Sequence, residues 1–165
     1  METIYIEMNK EGKRAVLRLV AVTSEVSLAY MTWDFETAIR KAKEILSREG
    51  LQVQYRNVLQ SYLIRSVVLS RPELSREELE EMIGELTITD STLAEKTEKM
   101  SVALYDLTIA HESNDYFEEL TNEFKYPQLE IIYYKALNAA IKGDTVRANE
   151  LLSQLLAGKM KDCMS

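Results

Sequence analysis

The sequence predicts an all-α fold, and three observations support that prediction. Only five Gly and two Pro occur in 165 residues, too few for a turn-rich β fold. Apolar residues recur every three or four positions, which is the spacing of one buried helix face. The segment 129–158, LEIIYYKALNAAIKGDTVRANELLSQLLAG, contains two such patterns joined by a turn at Gly143-Asp144. We therefore expect antiparallel helical hairpins, about seven to eight helices in a single domain.

Residues 1–18 are predicted to form a separate N-terminal segment with an extended start. Ile4, Ile6 and Met8 alternate with other residues, and residues 9–12 have the composition of a hairpin turn into a second strand. From Lys13 onward, however, the sequence continues smoothly into a helical pattern. Strand and helix therefore both remain alternatives for this segment, and we favour an extended or irregular start followed by a helix from about Glu11 or Lys13.

Residues 19–86 contain two predicted hairpins. The first has its turn at Thr32-Trp33-Asp34, and its second helix ends before Gly50. The second begins with a helix over 51–70, which Pro72 interrupts. Ser75 is then a good N-cap, and Glu78 three residues later completes a capping box for a helix that ends near Leu86.

The chain continues with a polar linker at 87–92 and two further hairpins. A long helix is expected from about Ser91 toward His111, followed by a turn at 113–115 and a helix over YFEELTNEF. Tyr126-Pro127 closes this third unit, because the residue before a proline avoids helical conformation. Residues 129–158 form the fourth hairpin, and 159–165 are predicted to be a C-terminal tail.

Small residues have the same spacing in the first and last hairpins. Ala29 and Ala38 flank the turn at Asp34, as Ala139 and Ala148 flank the turn at Asp144. With Ala136 and the aromatic residues Phe35 and Tyr116, this pattern resembles the tetratricopeptide repeat family, whose unit is a helix-turn-helix of about 34 residues. The resemblance covers residues 19–158 and is carried by the end units, since the two middle units are longer.

The resemblance implies a right-handed superhelix whose concave side, lined by the first helix of each hairpin, binds a peptide or a helix of a partner. When the hairpins are matched, the residues on that concave side include Tyr30, Tyr62, Tyr105, Tyr133 and Leu137. The competing interpretation of each is an ordinary core residue, because large aromatic side chains are usually buried.

The sequence offers little catalytic chemistry. His111 is the only histidine, so a metal cluster or a Ser-His-Asp arrangement would depend on this residue alone. Cys163 is the only cysteine, and the five glycines form no phosphate-binding loop. Glutamates cluster between residues 73 and 85, where they alternate with apolar residues as on a solvated helix face. We expect no enzyme activity, no metal and no cofactor.

Net charge and hydropathy limit the classes of partner that the sequence predicts. A formal charge of -7 disfavours nucleic acid and anionic membranes as the main partners. No stretch approaches the roughly 18 uninterrupted apolar residues of a membrane helix, and a cytoplasmic protein is expected. The leading prediction is a non-catalytic module that binds a protein or peptide, as a regulator or adaptor. The alternative is a structural or oligomerisation domain, with a homodimer formed through Leu151, Leu155 and Leu156 of the C-terminal hairpin.

Overall fold

The computed structural model describes residues 10–120 and 129–164, and within these ranges all regular secondary structure is helical. The predicted all-α fold is confirmed. The described residues form eight α-helices and one π-helical turn at Asp106–Ala110. The α-helices are α1 (Lys10–Met31), α2 (Phe35–Leu46), α3 (Val53–Ser70), α4 (Arg76–Gly84), α5 (Ser91–Tyr105), α6 (Tyr116–Glu119), α7 (Leu129–Ile141) and α8 (Thr145–Met164).

The outer helices extend beyond the predicted domain limits at both ends. Residues 10–18 are part of α1, so the predicted boundary after residue 18 lies inside a continuous helix. The predicted strand pattern at residues 4–8 lies outside the described residues. At the other end α8 continues through Gly158 to Met164. A Cβ at Gly158 would lie 3.2 Å from Leu129 Cδ2, so this glycine allows close packing of α8 on the start of α7.

The helix boundaries follow local sequence signals. The Ser75 hydroxyl accepts a hydrogen bond from the Glu78 backbone N–H, and the Glu78 carboxylate accepts one from the Ser75 backbone N–H, so the predicted capping box is confirmed. Asp90 caps α5 in the same manner as Asp34 caps α2, with a carboxylate oxygen that accepts from the first helical turn. The predicted start of α5 at Ser91 is confirmed.

The central helix α3 takes part in two apolar clusters. One cluster joins α1, α2 and α3 and includes Val26, Ala42, Ile45 and Leu59. The other joins α3, α4, α5, the π-turn, α6 and α7; its buried members are Ile64, Val68, Leu74, Leu79, Ala103, Leu104, Leu107, Phe117 and Tyr134. Because opposite sides of α3 face different clusters, α3 has no single polar face.

Two buried amides of α3 hold the predicted linker at 87–92. The Gln60 side-chain oxygen accepts from the Thr87 backbone N–H at 2.8 Å, and Asn57 exchanges hydrogen bonds with the backbone and hydroxyl of Thr89. These side chains satisfy polar groups of residues 87–90, which have no regular secondary structure, whereas the last two residues of the predicted linker belong to α5. The linker therefore lies in a fixed position along α3.

The helices at the two ends of the chain also meet. Helix α1 packs on α2 and α3, α3 packs on α5, and α7 packs on α8. Side chains of α1 and of the turn after it contact α7, and this junction contains the candidate site. No described helix combines the length and the apolar character needed to cross a membrane.

Candidate functional site

The turns of the first and last hairpins have the same hydrogen-bond pattern. The Asp34 N–H donates to the Ala29 carbonyl at 2.9 Å, and the Asp144 N–H donates to the Ala139 carbonyl at 2.9 Å. In each turn the residue before the aspartate makes a second, shorter-range bond: the Trp33 N–H donates to the Tyr30 carbonyl, and the Gly143 N–H donates to the Ala140 carbonyl. This pair of bonds is the Schellman motif, which places the residue after the cap in left-handed conformation.

Trp33 occupies the left-handed position of the first turn. Its φ is 64°, and the corresponding residue of the last turn, Gly143, has a φ of 79°. Glycine adopts this conformation without steric cost, whereas a side chain with a Cβ is disfavoured there by roughly 1–2 kcal/mol. A large aromatic residue at this position is unusual.

The Trp33 ring is half exposed although it makes two aromatic contacts. It is 54 % exposed, with its ring centroid 5.8 Å from that of Phe35 and 5.4 Å from that of Tyr133. The contact with Tyr133 is edge-on at 90°, the geometry that the ring quadrupoles favour. Tyr133 is itself 36 % exposed. The two rings thus form an open aromatic surface where the first hairpin meets α7.

Tyr30 lies beneath this surface and links α1 to α7 and α3. Its hydroxyl donates a hydrogen bond to Glu130 Oε1, and its ring meets that of Tyr62 edge-on at 5.3 Å. Burial raises the pKa of Tyr30, and also that of Tyr134 on α7, above the ordinary tyrosine value. Both phenols are therefore neutral at physiological pH.

Arg65 of α3 lies between two of these tyrosine rings. Its guanidinium carbon is 4.7 Å from the ring centroid of Tyr30 and 4.7 Å from that of Tyr62, within the range of a cation–π contact. Its Nε donates to the Ser61 carbonyl, and Nη1 contacts the Met100 sulfur. Among residues 10–120 and 129–164 no carboxylate lies within ion-pairing distance of Arg65.

The guanidinium of Arg65 thus retains N–H donors that no described carboxylate uses, since it carries five and two make the contacts above. Stacking on aromatic faces leaves the edge of the guanidinium plane available to an acceptor. We name the group Tyr30, Trp33, Tyr62 and Tyr133, with Arg65 among them, the aromatic junction.

The structure brings together three of the five residues predicted for partner binding. Tyr30, Tyr62 and Tyr133 all belong to the aromatic junction, although Tyr30 is buried and Tyr62 is only partly exposed. Tyr105 and Leu137 instead pack on the second apolar cluster. Tyr105 has the guanidinium of Arg76 over its ring at 5.6 Å, a setting separate from the junction.

Sequence reasoning did not select Trp33 or Arg65 for this site. A signal for Trp33 was present, because the matching of the two turns aligns it with Gly143, where a glycine is the ordinary choice. No comparable signal existed for Arg65. Its position between the rings depends on the packing of α1 against α3, which no local pattern encodes.

The polar groups outside the junction offer little other chemistry. No group of three His, Cys, Asp or Glu side chains suited to a metal ion occurs in the described part of the chain. His111 is exposed and ends the π-turn in left-handed conformation, with a φ of 55°. An open cleft of about 370 Å³ lies between α5 and α6, lined by Glu98, Lys99, Val102, Asn114, Asp115, Tyr116 and Glu119.

A polar network secures the last hairpin to the loop before α6. Asn138, which is 2 % exposed, accepts from the Asn114 backbone N–H and donates to the Asp115 carboxylate. The Lys142 ammonium donates to the same carboxylate at 2.5 Å and holds the pKa of Asp115 below its ordinary value. These contacts hold a hairpin in place and need no ligand.

Comparisons with protein families, with curated proteins and with solved structures found no match to this chain.

Proposed function

We propose that this protein is a non-catalytic helical-repeat module that binds a protein or peptide segment at the aromatic junction. The observation that carries the proposal is Trp33, a half-exposed tryptophan held at positive φ where the matching turn has glycine. Strained backbone at an exposed aromatic residue is typical of binding sites, because the fold alone gains little from it. Tryptophan, tyrosine and arginine are also the residues that contribute most to protein interfaces.

The geometry of the junction suggests the chemistry of the partner. The open edges of Trp33 and Tyr133 would contact an apolar or aromatic side chain, for which they supply area at low cost in conformational entropy. The donors of Arg65, which lies against the rings of Tyr30 and Tyr62, would pair with a carboxylate. A segment with an apolar side chain and a nearby acidic group fits both features.

The tetratricopeptide-like arrangement is part of this proposal. It is supported by the shared turn of the two end hairpins and by the packing of α1 on α3 and of α3 on α5, the first helices of consecutive hairpins. The two middle units depart from the pattern, since α4 has nine residues and α6 has four. Under this proposal the superhelix is tight, because Tyr30 of the first hairpin contacts Glu130 of the last.

Selection from a displayed random-peptide library tests the proposal. The wild-type chain should enrich a family of peptides, and Trp33→Gly should lose them by at least about tenfold while it keeps its helicity, since that turn accepts glycine. Val53→Ala serves as a matched control, because Val53 is exposed to a similar degree at the start of α3.

Arg65→Met separates the two parts of the site. It should remove any preference for acidic residues among the enriched peptides and leave the apolar preference unchanged, because methionine keeps contact with the rings but has no donor. Enrichment that is the same for wild type and Trp33→Gly would show that the junction is not the binding surface.

A further inference from the structure

The shared turn aligns the last hairpin with the first, residue by residue. Because both turns have the same bonds, Ala29 matches Ala139 and Ala38 matches Ala148. Helix α1 therefore corresponds to α7, and α2 corresponds to α8. Aligned residues lie at the same place relative to the partner helix of their hairpin, so their surroundings can be compared directly.

One face of α7 is covered by the hairpin that precedes it. Tyr134 stacks on Phe117 of α6 at 4.9 Å, and Asn138 bonds the loop before α6. Ile131 and Ile141 pack against the same apolar cluster. This face joins the last hairpin to the third unit.

The aligned face of α1 is exposed. Leu28 aligns with Asn138 and is 62 % exposed, and Met31 aligns with Ile141 and is 70 % exposed. Ala21, which aligns with Ile131, is a small exposed residue, and the exposed Leu17 continues the row one turn earlier. The spacing of these residues, four, seven and three, is that of a helix seam that packs on another helix.

The opposite end of the fold has a matching open face. In α2, Ala42 and Ile45 are buried in the cluster that Leu59 of α3 shares, and Leu46 packs against it. The aligned residues of α8 are Leu152, Leu155 and Leu156, of which Leu152 is 42 % and Leu156 is 65 % exposed. Each end thus carries an apolar face whose internal counterpart is covered by a neighbouring hairpin.

We propose that α8 of one copy of this chain docks on α1 of a second copy, head to tail. Leu152 and Leu156 would then pack on α1 of the second copy, as α2 packs on α3. Leu28 and Met31 would be covered by α8 of the other copy, as α7 is covered by the hairpin that precedes it. A second copy is the occupant that the alignment supports, because the same chain supplies both unmatched faces. Exposed apolar residues along one helix face are typical of such interfaces.

This geometry differs from the homodimer through the C-terminal hairpin predicted from the sequence. That dimer would pair α8 with α8 and leave the α1 face open. A head-to-tail contact joins two different surfaces and therefore repeats without closing, unless the rotation between copies forms a ring. Assembly should consequently grow with protein concentration.

Two variants of the full chain, each with one charge substitution, test the proposal. The mass of each variant, and of an equimolar mixture of the two, is measured by light scattering after size exclusion. Wild type should exceed 19.0 kDa and rise with concentration. Leu28→Glu and Leu156→Glu should each be monomeric, because each lacks one of the two faces. An equimolar mixture should reach twice the monomer mass and stop there, since one intact α8 face meets one intact α1 face. Val53→Glu should behave as wild type.

Every other pattern overturns the proposal. A monomeric wild type at all concentrations means that no second copy docks. A dimer that survives Leu28→Glu but not Leu156→Glu means that α8 pairs with α8, and the reverse means that α1 pairs with α1. Circular dichroism checks that each variant is folded. If Leu28→Glu is unfolded, Met31→Glu replaces it, and if Leu156→Glu is unfolded, Leu152→Glu replaces it.

Discussion

The first and last hairpins use one turn with different residues at its left-handed position. Gly143 meets the conformational demand of the turn at no steric cost, and nothing lies within 4 Å of the place where its Cβ would be. Trp33 meets the same demand at a cost and contacts Phe35 and Tyr133. The turn therefore does not require the tryptophan.

The two hairpins also differ at a position of the preceding helix. Asn138 is buried and bonds the loop before α6, whereas the aligned Leu28 is exposed. The same helix face is thus an internal junction in one hairpin and an open surface in the other. Differences between the hairpins reflect their neighbours and not their own local structure.

The largest expected difference in the free energy of unfolding is between substitutions at Asn138 and at Leu28. Asn138→Ala should lower the free energy of unfolding by about 2–3 kcal/mol, because it leaves the partly buried Asn114 N–H without an acceptor and opens a small cavity. Leu28→Ala, measured in dilute solution, should change it by less than about 0.5 kcal/mol. Urea unfolding followed by circular dichroism measures both. Equal losses would mean that the two faces are not distinct.

A smaller effect is expected at the turn itself. Gly143→Ala should lower the free energy of unfolding by about 1 kcal/mol, because alanine is strained at positive φ although space for its Cβ exists. Trp33→Ala is its counterpart and keeps the same strain while it removes the ring. If Gly143→Ala were neutral in thermal unfolding, the left-handed conformation would not be the constraint that distinguishes the two turns.

The smallest expected effect is a difference in acid sensitivity. The Lys142 ammonium, more than any other group, lowers the pKa of Asp115 below its ordinary 3.8, so this pair stabilises the last hairpin above that pH. The contribution is lost as pH falls through the folded pKa. The first hairpin has Thr32 at the aligned position, whose hydroxyl donates to the Leu28 carbonyl without titrating.

Lys142→Met should therefore reduce stability at neutral pH slightly and flatten the stability change between about pH 5 and about pH 2. Chemical unfolding of wild type and variant at a series of pH values checks this. A variant that keeps the full slope of wild type would show that another carboxylate carries the acid sensitivity.

Much of the fold could be predicted because its signals are local. The capping box at Ser75, the start of α5 after Asp90 and the matched alanines of the end hairpins each depend on a few consecutive residues. The helix that begins at Lys10 was harder to delimit, since residues 1–18 mix alternating and helical patterns. The tail predicted at 159–165 continues α8 as far as Met164, and Gly158 allows close packing inside that helix.

The candidate site could be predicted only in part. Matching of the hairpins selected Tyr30 and Tyr62, whose rings are in contact, and Tyr133, whose ring contacts Trp33. It also selected Tyr105 and Leu137, which pack on the other cluster. Spacing identifies a helix face and does not tell which of two clusters that face meets. The contact of Glu130 with Tyr30 joins residues distant in sequence and depends on the path of the whole chain.

The free energy of unfolding of Trp33→Gly tests the role of the aromatic junction most directly. If the ring serves recognition and the turn suits glycine, relief of backbone strain should offset the lost aromatic contacts. Urea unfolding followed by circular dichroism should give a value within about 1 kcal/mol of wild type. A loss above about 3 kcal/mol, as for removal of a core aromatic residue, would show that Trp33 belongs to the core and contradict the proposed site.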